Sequence, residues 1–274
     1  MPEKDDSQFL ATLWQYYDLH GRHELPWRMA EVDGTYDPYK ILVSELMLQQ
    51  TQVARVVPKF AAFLEQFPNT KQLAAASLSE VLTAWSGLGY NRRAKFLHQA
   101  AQRIEDECLG IFPTDYTELI KLPGVGANTA GAIMAYAFNQ PIVYIETNIR
   151  TVYIHHYFSD GQAIHDDQLR PVIERTLDTD NPRAFYWALM DYGSWLKQQI
   201  GNLNKLSVHY TKQSPFAGSL REIRGKVIRL LTARPHSLQE LEAIIMDARL
   251  ASVLAALTVE GLITQSADDE YQLA

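Results

Sequence analysis

The sequence predicts an all-helical protein that ends in a small unit of three helices and a hairpin. Apolar residues recur at helical spacing through most of the chain, and no stretch between residues 58 and 110 alternates as a strand would. Glycine and proline stand where helices have to end or turn. With 47% hydrophobic and 21% charged residues among 274, the composition is that of an ordinary soluble protein, long enough for one large core or two smaller domains.

From Ser7 to His20 the residues Phe9, Leu10, Leu13, Trp14 and Tyr17 line one helical face, and Ser7 can cap the start. Leu25-Pro-Trp-Arg28 follows, then a loop through Gly34 to Pro38. Tyr39 to Val57 reads as one second helix in which Glu45 sits amid apolar residues. A carboxyl buried there favours its neutral form, which is what a general acid near neutral pH requires. Composition allows equally that Glu45 lies on the wet side of the helix. Pro58 and Pro68 punctuate further helices, including the amphipathic stretch Leu73–Leu82. In Trp85-Ser-Gly-Leu-Gly-Tyr-Asn-Arg-Arg-Ala94 a Gly-X-Gly turn delivers Tyr90, followed by the cations Arg92, Arg93 and Lys95.

The chain is organised around Leu122-Pro-Gly-Val-Gly126. A short helix over Asp115–Lys121 precedes it and a small-residue helix, Ala127–Tyr136, follows, with Gly124 and Gly126 supplying turn conformations closed to other residues. The second helix then starts with backbone N–H groups at Val125, Gly126 and Asn128 that suit an anion such as phosphate. A glycine turn between helices is also common in any bundle. Beyond it, Pro141–Ile145 is apolar and a helix begins after Glu146, with Thr147 or Asn148 as its cap. Glu146 would then lie beside N–H groups that favour its ionised form. Glu45 and Glu146 thus read as one acid and one carboxylate with pKa values pushed apart, the arrangement of acid-plus-stabiliser catalysis at sugar bonds. The plainer alternative for Glu146 is support of a helix end.

Residues 211–218 read as a linker. Helices are legible over Ser219–Thr232, from the capping box Ser237-Leu-Gln-Glu240, and over Arg249–Glu260, and a hairpin is formed by Leu262–Gln265 and Tyr271–Leu273. This pattern predicts a winged-helix-like domain. Its third helix is mostly Leu, Ala and Val and its wing is acidic, which suits packing or a protein partner better than a phosphate backbone.

Several classes are excluded or disfavoured. A net charge of −7 argues against indiscriminate binding to nucleic acid, so a role on DNA has to rest on a local basic face. Tyr90–Lys95 is the best candidate, with Arg22, Arg28 and Lys121 as additions and Lys197, Lys205 and Lys212 as weaker ones. Cys108, the only cysteine, excludes an internal disulfide and any cluster or zinc site held by this chain's cysteines alone. The eight histidines, His155-His156 included, show no metal-ligand spacing, so neither a metal nor another cofactor is expected. The N-terminal stretch Met1–Ser7 is acidic, without an apolar signal region, and no apolar run is long enough to span a bilayer, which predicts a cytoplasmic protein.

Five segments in order resemble a known family: Leu-Pro-Trp-Arg28, Ser44-Glu-Leu-Met-Leu-Gln-Gln-Thr-Gln-Val53, Gly87-Leu-Gly-Tyr90, Leu122–Tyr136, and Ile145-Glu-Thr-Asn-Ile-Arg-Thr-Val152. Together, across about residues 7–200, they are similar to the MutY-type adenine glycosylases of the helix-hairpin-helix superfamily that includes endonuclease III. The resemblance implies a two-lobed helical DNA glycosylase over residues 1–210, with duplex DNA in the cleft, followed by the linker and the winged-helix-like domain of residues 219–274. It makes Glu45 the catalytic acid that protonates adenine, Glu146 the carboxylate that stabilises a cationic sugar, and Asn148 a residue that orients it or the attacking water. Gln49, Gln50 and Thr51 match residues that enter the duplex, Tyr90 matches the wedge beside the mismatch, and Arg28 matches an arginine near the lesion pocket. Arg92 and the hairpin residues Gly124, Val125, Gly126, Asn128 and Thr129 complete the implied DNA-binding set.

The resemblance also has departures. The family normally carries Asp where Glu146 stands, and the extra methylene moves the carboxylate by about one bond length, a displacement worth about 10²-fold in a positioned site. Asn128 takes the place of the nucleophilic Lys of bifunctional relatives, which implies base removal without strand cleavage. Phe185–Trp195 resembles the helix that leads into four iron–sulfur cysteines, and none follows here. Packing by Trp187, Trp195 and residues 200–210 is expected to fix that end instead. The tail from Ser219 is too short and too helical to be the Nudix-like domain that recognises 8-oxoguanine. The expected activity is excision of adenine from mispairs with 8-oxoguanine or guanine by a monomer associated with the nucleoid, with a protein partner for the tail. The alternatives are a glycosylase of the same fold for thymine or uracil opposite guanine or for a damaged base, and a catalytically weak binder of DNA structure.

Overall fold

The computed structural model of the chain describes residues 5–274, so the first four residues of the acidic N-terminal stretch lie outside the described residues. Fourteen helices are found among them: α1 (Asp6–His20), α2 (Pro38–Leu48), α3 (Val53–Gln66), α4 (Thr70–Ala75), α5 (Leu78–Ala84), α6 (Arg92–Glu107), α7 (Tyr116–Leu119), α8 (Ala127–Tyr136), α9 (Thr147–Tyr157), α10 (Asp166–Thr176), α11 (Pro182–Ile200), α12 (Leu220–Leu231), α13 (Leu238–Ile245) and α14 (Leu250–Val259). Three short strands, β1 (His236–Ser237), β2 (Ile263–Gln265) and β3 (Glu270–Leu273), and two 3-10 turns, Pro26–Arg28 and Leu203–Leu206, complete the regular structure. No helix among the described residues is long and apolar enough to cross a membrane.

The chain forms two compact units, the first built from Met1–Ile41, Thr114–Ile120 and Val125–Lys212. Its centre is α9 lying along α11, with α1 and α10 packed on them. The face is aromatic: Tyr153, Phe185 and Tyr186 are fully buried, and Phe9 meets Tyr153 with ring centroids 5.4 Å apart. Asp5, rather than the expected Ser7, caps α1, because its carboxylate can reach back to the Ser7 N–H at 2.9 Å.

The end of this unit that sequence reasoning assigned to packing is held by hydrogen bonds as well. Buried Asn204 donates to the Thr151 hydroxyl at 2.7 Å and to the Thr147 carbonyl at 3.2 Å, both on α9. Ile164 then forms a short parallel bridge with Ser207, its N–H donating to the Leu206 carbonyl at 2.9 Å and its carbonyl accepting from the Val208 N–H at 3.1 Å. The two tryptophans do contribute. Trp195 stacks on Tyr192 and packs at 5.3 Å from Tyr16, and Trp187 stacks on Tyr136.

The second unit comprises Leu42–Pro113, Lys121–Gly124 and Gln213–Ala274. Here α4 and α5 lie on α6 around the fully buried Trp85 and Phe63. The expected single helix Tyr39–Val57 is broken at Gln49–Gln52, where Gln50 takes φ +56 and α3 restarts with Pro58 in its interior. The stretch Leu73–Leu82 is broken as well, at Ser77, whose side chain and that of Glu80 form a capping box that starts α5.

The C-terminal part has the expected winged-helix-like order, with β3 between β1 and β2, both antiparallel to it, and α12 packed on α14. Leu250, Val253, Leu254 and Leu257 of α14 are buried, so this helix faces the domain's own core. The domain is fastened to α6. Lys95 Nζ donates to the carbonyls of Glu260 and Gly261 at 2.5 and 3.3 Å, and the Glu260 carboxylate accepts from Arg224 at 2.6 Å and stands 4.0 Å from Arg92.

Candidate active site

In the second unit, Glu45 lies on α2, half-buried, between the fully buried Leu42, Val43, Leu46 and Met47. Neither sequence alternative describes it fully. It is neither fully buried nor fully on the wet side of the helix.

What fixes the end of α2 is Arg93. This side chain is buried, and its guanidinium donates to the carbonyls of Leu46 (2.8 Å), Met47 (3.0 Å) and Gln49, to the Thr51 hydroxyl (3.1 Å) and to the carbonyls of Leu88 (3.3 Å) and Gly89 (2.9 Å). A helix end leaves such carbonyls without intrahelical donors, and one planar cation satisfies several at once. Burial pushes its pKa down to about 10, so it keeps its charge at neutral pH. The same contacts hold two strained tips, Gln50 at φ +56 and Tyr90 at φ +48, both rare for residues with side chains.

The basic face expected at Tyr90–Lys95 is therefore smaller than its composition. Arg93 is internal and Lys95 is engaged by Glu260 and Gly261, which leaves Arg92 as the exposed cation of the three. Gln49 and Gln50 are exposed, Thr51 is half-buried, and Tyr90 is 38% exposed.

In the first unit, Glu146 itself is the N-cap of α9, not Thr147 or Asn148: its carboxylate accepts from the Asn148 N–H at 2.7 Å. Desolvation by burial nevertheless dominates and raises the carboxyl above its ordinary value, against the opposing pull of the Asn148, Ile149 and Thr147 N–H groups and the Lys197 charge. The expectation that the helix end would favour the ionised form is corrected in its net direction, because losing water outweighs the helix terminus. Asn128, in α8, donates to the Ile145 carbonyl at 2.8 Å and so fixes the residue before Glu146. Asn148 contacts Met190 Sδ at 3.9 Å, and a Cβ on Gly193 would stand 2.3 Å from the Asn148 carbonyl oxygen.

The hairpin forms as predicted, α7 and α8 flanking Gly124, which adopts φ +80 with Phe96 Cβ 2.8 Å from where a side chain would begin. Gly126 differs. Its φ of −90 and ψ of 180 are open to any residue, and a Cβ there would meet nothing. Its bareness keeps the backbone approachable from outside and serves no internal packing. Val125 and Thr129 are buried, while Asn128 is exposed.

Arg28 lies below the surface. It makes a bidentate pair with Asp191, 2.8 Å on each side, against the Trp187 ring, and Arg22 adds its backbone N–H and Nε at 2.7 Å each. Although burial pulls the Asp191 carboxyl upward, these bonds and charges hold it below its ordinary value. Arg28 is thus held from within, since a buried carboxylate needs such a partner. Asp191, on α11, is a residue that the sequence reading missed, and Lys197 and Arg93 entered it only as candidate basic-face charges, not in the roles they take beside Glu146 and at the end of α2.

Residues 43–176 match the HhH-GPD superfamily base excision DNA repair protein family. The adenine DNA glycosylase of Mycolicibacterium smegmatis is 34% identical over 292 residues, which cover 96% of this chain and 95% of that protein. The chain belongs to this glycosylase family. The chain is also 37% identical over 190 residues to the adenine DNA glycosylase of Buchnera aphidicola subsp. Baizongia pistaciae, covering 68% of this chain and 52% of the relative, so it spans about half the length of that protein. Among solved structures, a thermostable thymine-DNA glycosylase superposes with a TM-score of 0.62 at 25% identity, over 75% of this chain and 96% of the other. This HhH-GPD protein is thus a DNA glycosylase by family, with its candidate acid on α2 and its candidate stabilising carboxylate capping α9.

Proposed function

We propose that the protein excises adenine from mispairs with 8-oxoguanine or guanine in duplex DNA, and that it does so without cutting the strand. The observation that carries this reading is Glu146, a desolvated carboxyl seated on the first turn of α9, in a chain that matches a relative named for adenine removal along almost the whole length of both.

Extrusion of the base comes first and costs a few kcal/mol, less at a mispair. Gln50 and Tyr90, offered on strained turns, fill the space left in the stack, and the bare backbone at Gly126 with the start of α8 receives a phosphate. Glu45 protonates a ring nitrogen of adenine and makes it a better leaving group. As the bond to the sugar breaks, positive charge develops there and Glu146 stabilises it in its ionised form. Asn148 orients the carboxylate or the incoming water. An amide at Asn128 supplies no amine for a Schiff base, so the chemistry stops at the abasic site.

The resemblance to a thymine-DNA glycosylase favours one second reading, removal of a pyrimidine opposite guanine by the same fold. Single-turnover base release on duplexes with adenine opposite 8-oxoguanine, guanine and cytosine, and with thymine or uracil opposite guanine, separates the two. Abasic sites are revealed by alkali. Adenine release that needs a mispaired partner is expected; pyrimidine release alone would replace the first reading by the second, and cleavage before alkali would overturn the monofunctional assignment.

A further inference from the structure

The segment that leads into the C-terminal domain does not behave as a free linker. Gln213 donates to the Tyr90 hydroxyl at 3.1 Å and to the Gln50 side-chain oxygen, and Arg221, in the first turn of α12, donates to the same hydroxyl at 2.6 Å. Arg221 also returns to the Ser214 carbonyl at 2.5 Å, folding residues 214–221 into a loop that carries Phe216 outward at 62% exposure. Both strained tips, Gln50 and Tyr90, are therefore met by one stretch of chain from the tail.

Two arginines of the domain, Arg221 and Arg229, have no carboxylate bonded to them among the described residues, and of these Arg221 is the one that reaches Tyr90. In the same domain Arg224, Arg234 and Arg249 are each bonded to a carboxylate, Glu260, Glu240 and Asp247 respectively. The oxygens that Arg221 bonds belong to Ser214 and Tyr90 and are neutral. A half-buried guanidinium whose charge is met by neutral acceptors among the described residues, beside an aromatic ring and two side-chain amides, is suited to a phosphate and the base next to it.

We propose that Arg221, with Gln213, is part of the surface that contacts duplex DNA at Gln50 and Tyr90, so that the C-terminal domain extends the DNA-binding face and is not only a separate module for a protein partner. This rests on the reading of Gln50 and Tyr90 as the residues that meet the duplex. The cation binds a phosphate beside the mispair, and its bond to the Tyr90 hydroxyl holds the ring in its strained position while it does so.

The test uses the full-length protein, a fluorescein-labelled mispaired duplex and anisotropy titrations at several salt concentrations, with thermal melts as a check of folding. Arg221→Ala is expected to weaken binding roughly fivefold, as for one exposed charge contact, and to lower the slope of log affinity against log salt by about 0.9. Arg221→Lys should keep most of that slope. Unchanged affinity and slope in Arg221→Ala would overturn the proposal, and so would tighter binding, which would make the contact a strap over the surface. Tyr90→Ala separates the two levels. If it weakens binding while Arg221→Ala does not, only the present inference fails; if neither changes binding, the reading of Tyr90 fails with it.

Discussion

The two candidate carboxylates are held in opposite ways. Glu45 lies on the penultimate turn of α2, and its position is set from outside by Arg93, which gathers the carbonyls of the next residues, Leu46 and Met47, together with that of Gln49. Glu146 is held by its own helix, as the cap of α9, with Asn128 fixing the residue before it. The first arrangement leaves a half-buried carboxyl among apolar neighbours, on a helix whose end is set by a distant arginine. The second ties a carboxylate to the backbone of its own helix, where burial raises its pKa. Such a contrast suits an acid that must move a proton and a stabiliser that must stay in place, and it can be tested one residue at a time.

The largest effect is expected from Glu45→Gln. Removing a general acid lowers single-turnover base release by about 10²–10⁴-fold, while anisotropy should show DNA affinity retained. Lost affinity in a folded protein would mean that Glu45 binds and does not transfer a proton.

Glu146→Gln comes next, with a loss of about 10²–10³-fold, the size of one missing electrostatic stabiliser. Here pH sharpens the comparison. Because the carboxyl is raised above its ordinary value of 4.5, its ionised form is lost, as pH falls, earlier than for an exposed glutamate. The rate of base release should drop with falling pH through that raised value, and the glutamine variant should lack this limb. Stability runs the other way. The folded state holds the proton more tightly than the unfolded chain, so the stabilisation from this group is complete below 4.5 and is lost as pH rises through the folded-state value. Thermal melts across that range should be flatter in Glu146→Gln.

Arg93→Ala strands several buried carbonyls and is expected to lower stability by about 3 kcal/mol, read from urea melts. Base release should fall in proportion to the disorder of the Gln50 and Tyr90 turns, and an unaltered rate would dissociate those turns from catalysis. The smallest of the four is Gly193→Ala on α11. Its methyl would meet the Asn148 carbonyl, a rigid neighbour, at a cost of about 1–3 kcal/mol. Turnover should decline with it if Asn148 positions the site around Glu146.

Much of this was legible in the chain. The hairpin at Gly124, the helices on either side of it and the capping box at Ser237 follow from local rules that tertiary structure left alone. The break at Gln50 was not, because nothing in Leu-Met-Leu-Gln-Gln-Thr-Gln-Val interrupts helical periodicity. The helix stops there because an arginine more than forty residues later takes its carbonyls. Glu146 was correctly placed at a helix start, but its pKa direction depends on how much water the fold removes, which no spacing encodes. The pairing of Arg28 was hidden for a related reason: a surface arginine and one paired with a buried carboxylate look alike until Asp191 is found beside it.

The fastening of α6 to the tail has a consequence for the order in which the protein is made. Lys95 and its acceptor at Glu260 are 165 residues apart. At about 5–20 residues per second, roughly 8 to 30 seconds of translation separate them. Through that interval the nascent chain exposes Lys95 and the Tyr90 hydroxyl without the partners they have in the folded protein, and the bonds from Lys95 cannot form until Gly261 has emerged. An HhH-GPD region released early, by a stalled ribosome or a premature stop, would therefore leave with the Gln50 and Tyr90 turns lacking the contacts that Gln213 and Arg221 make to them.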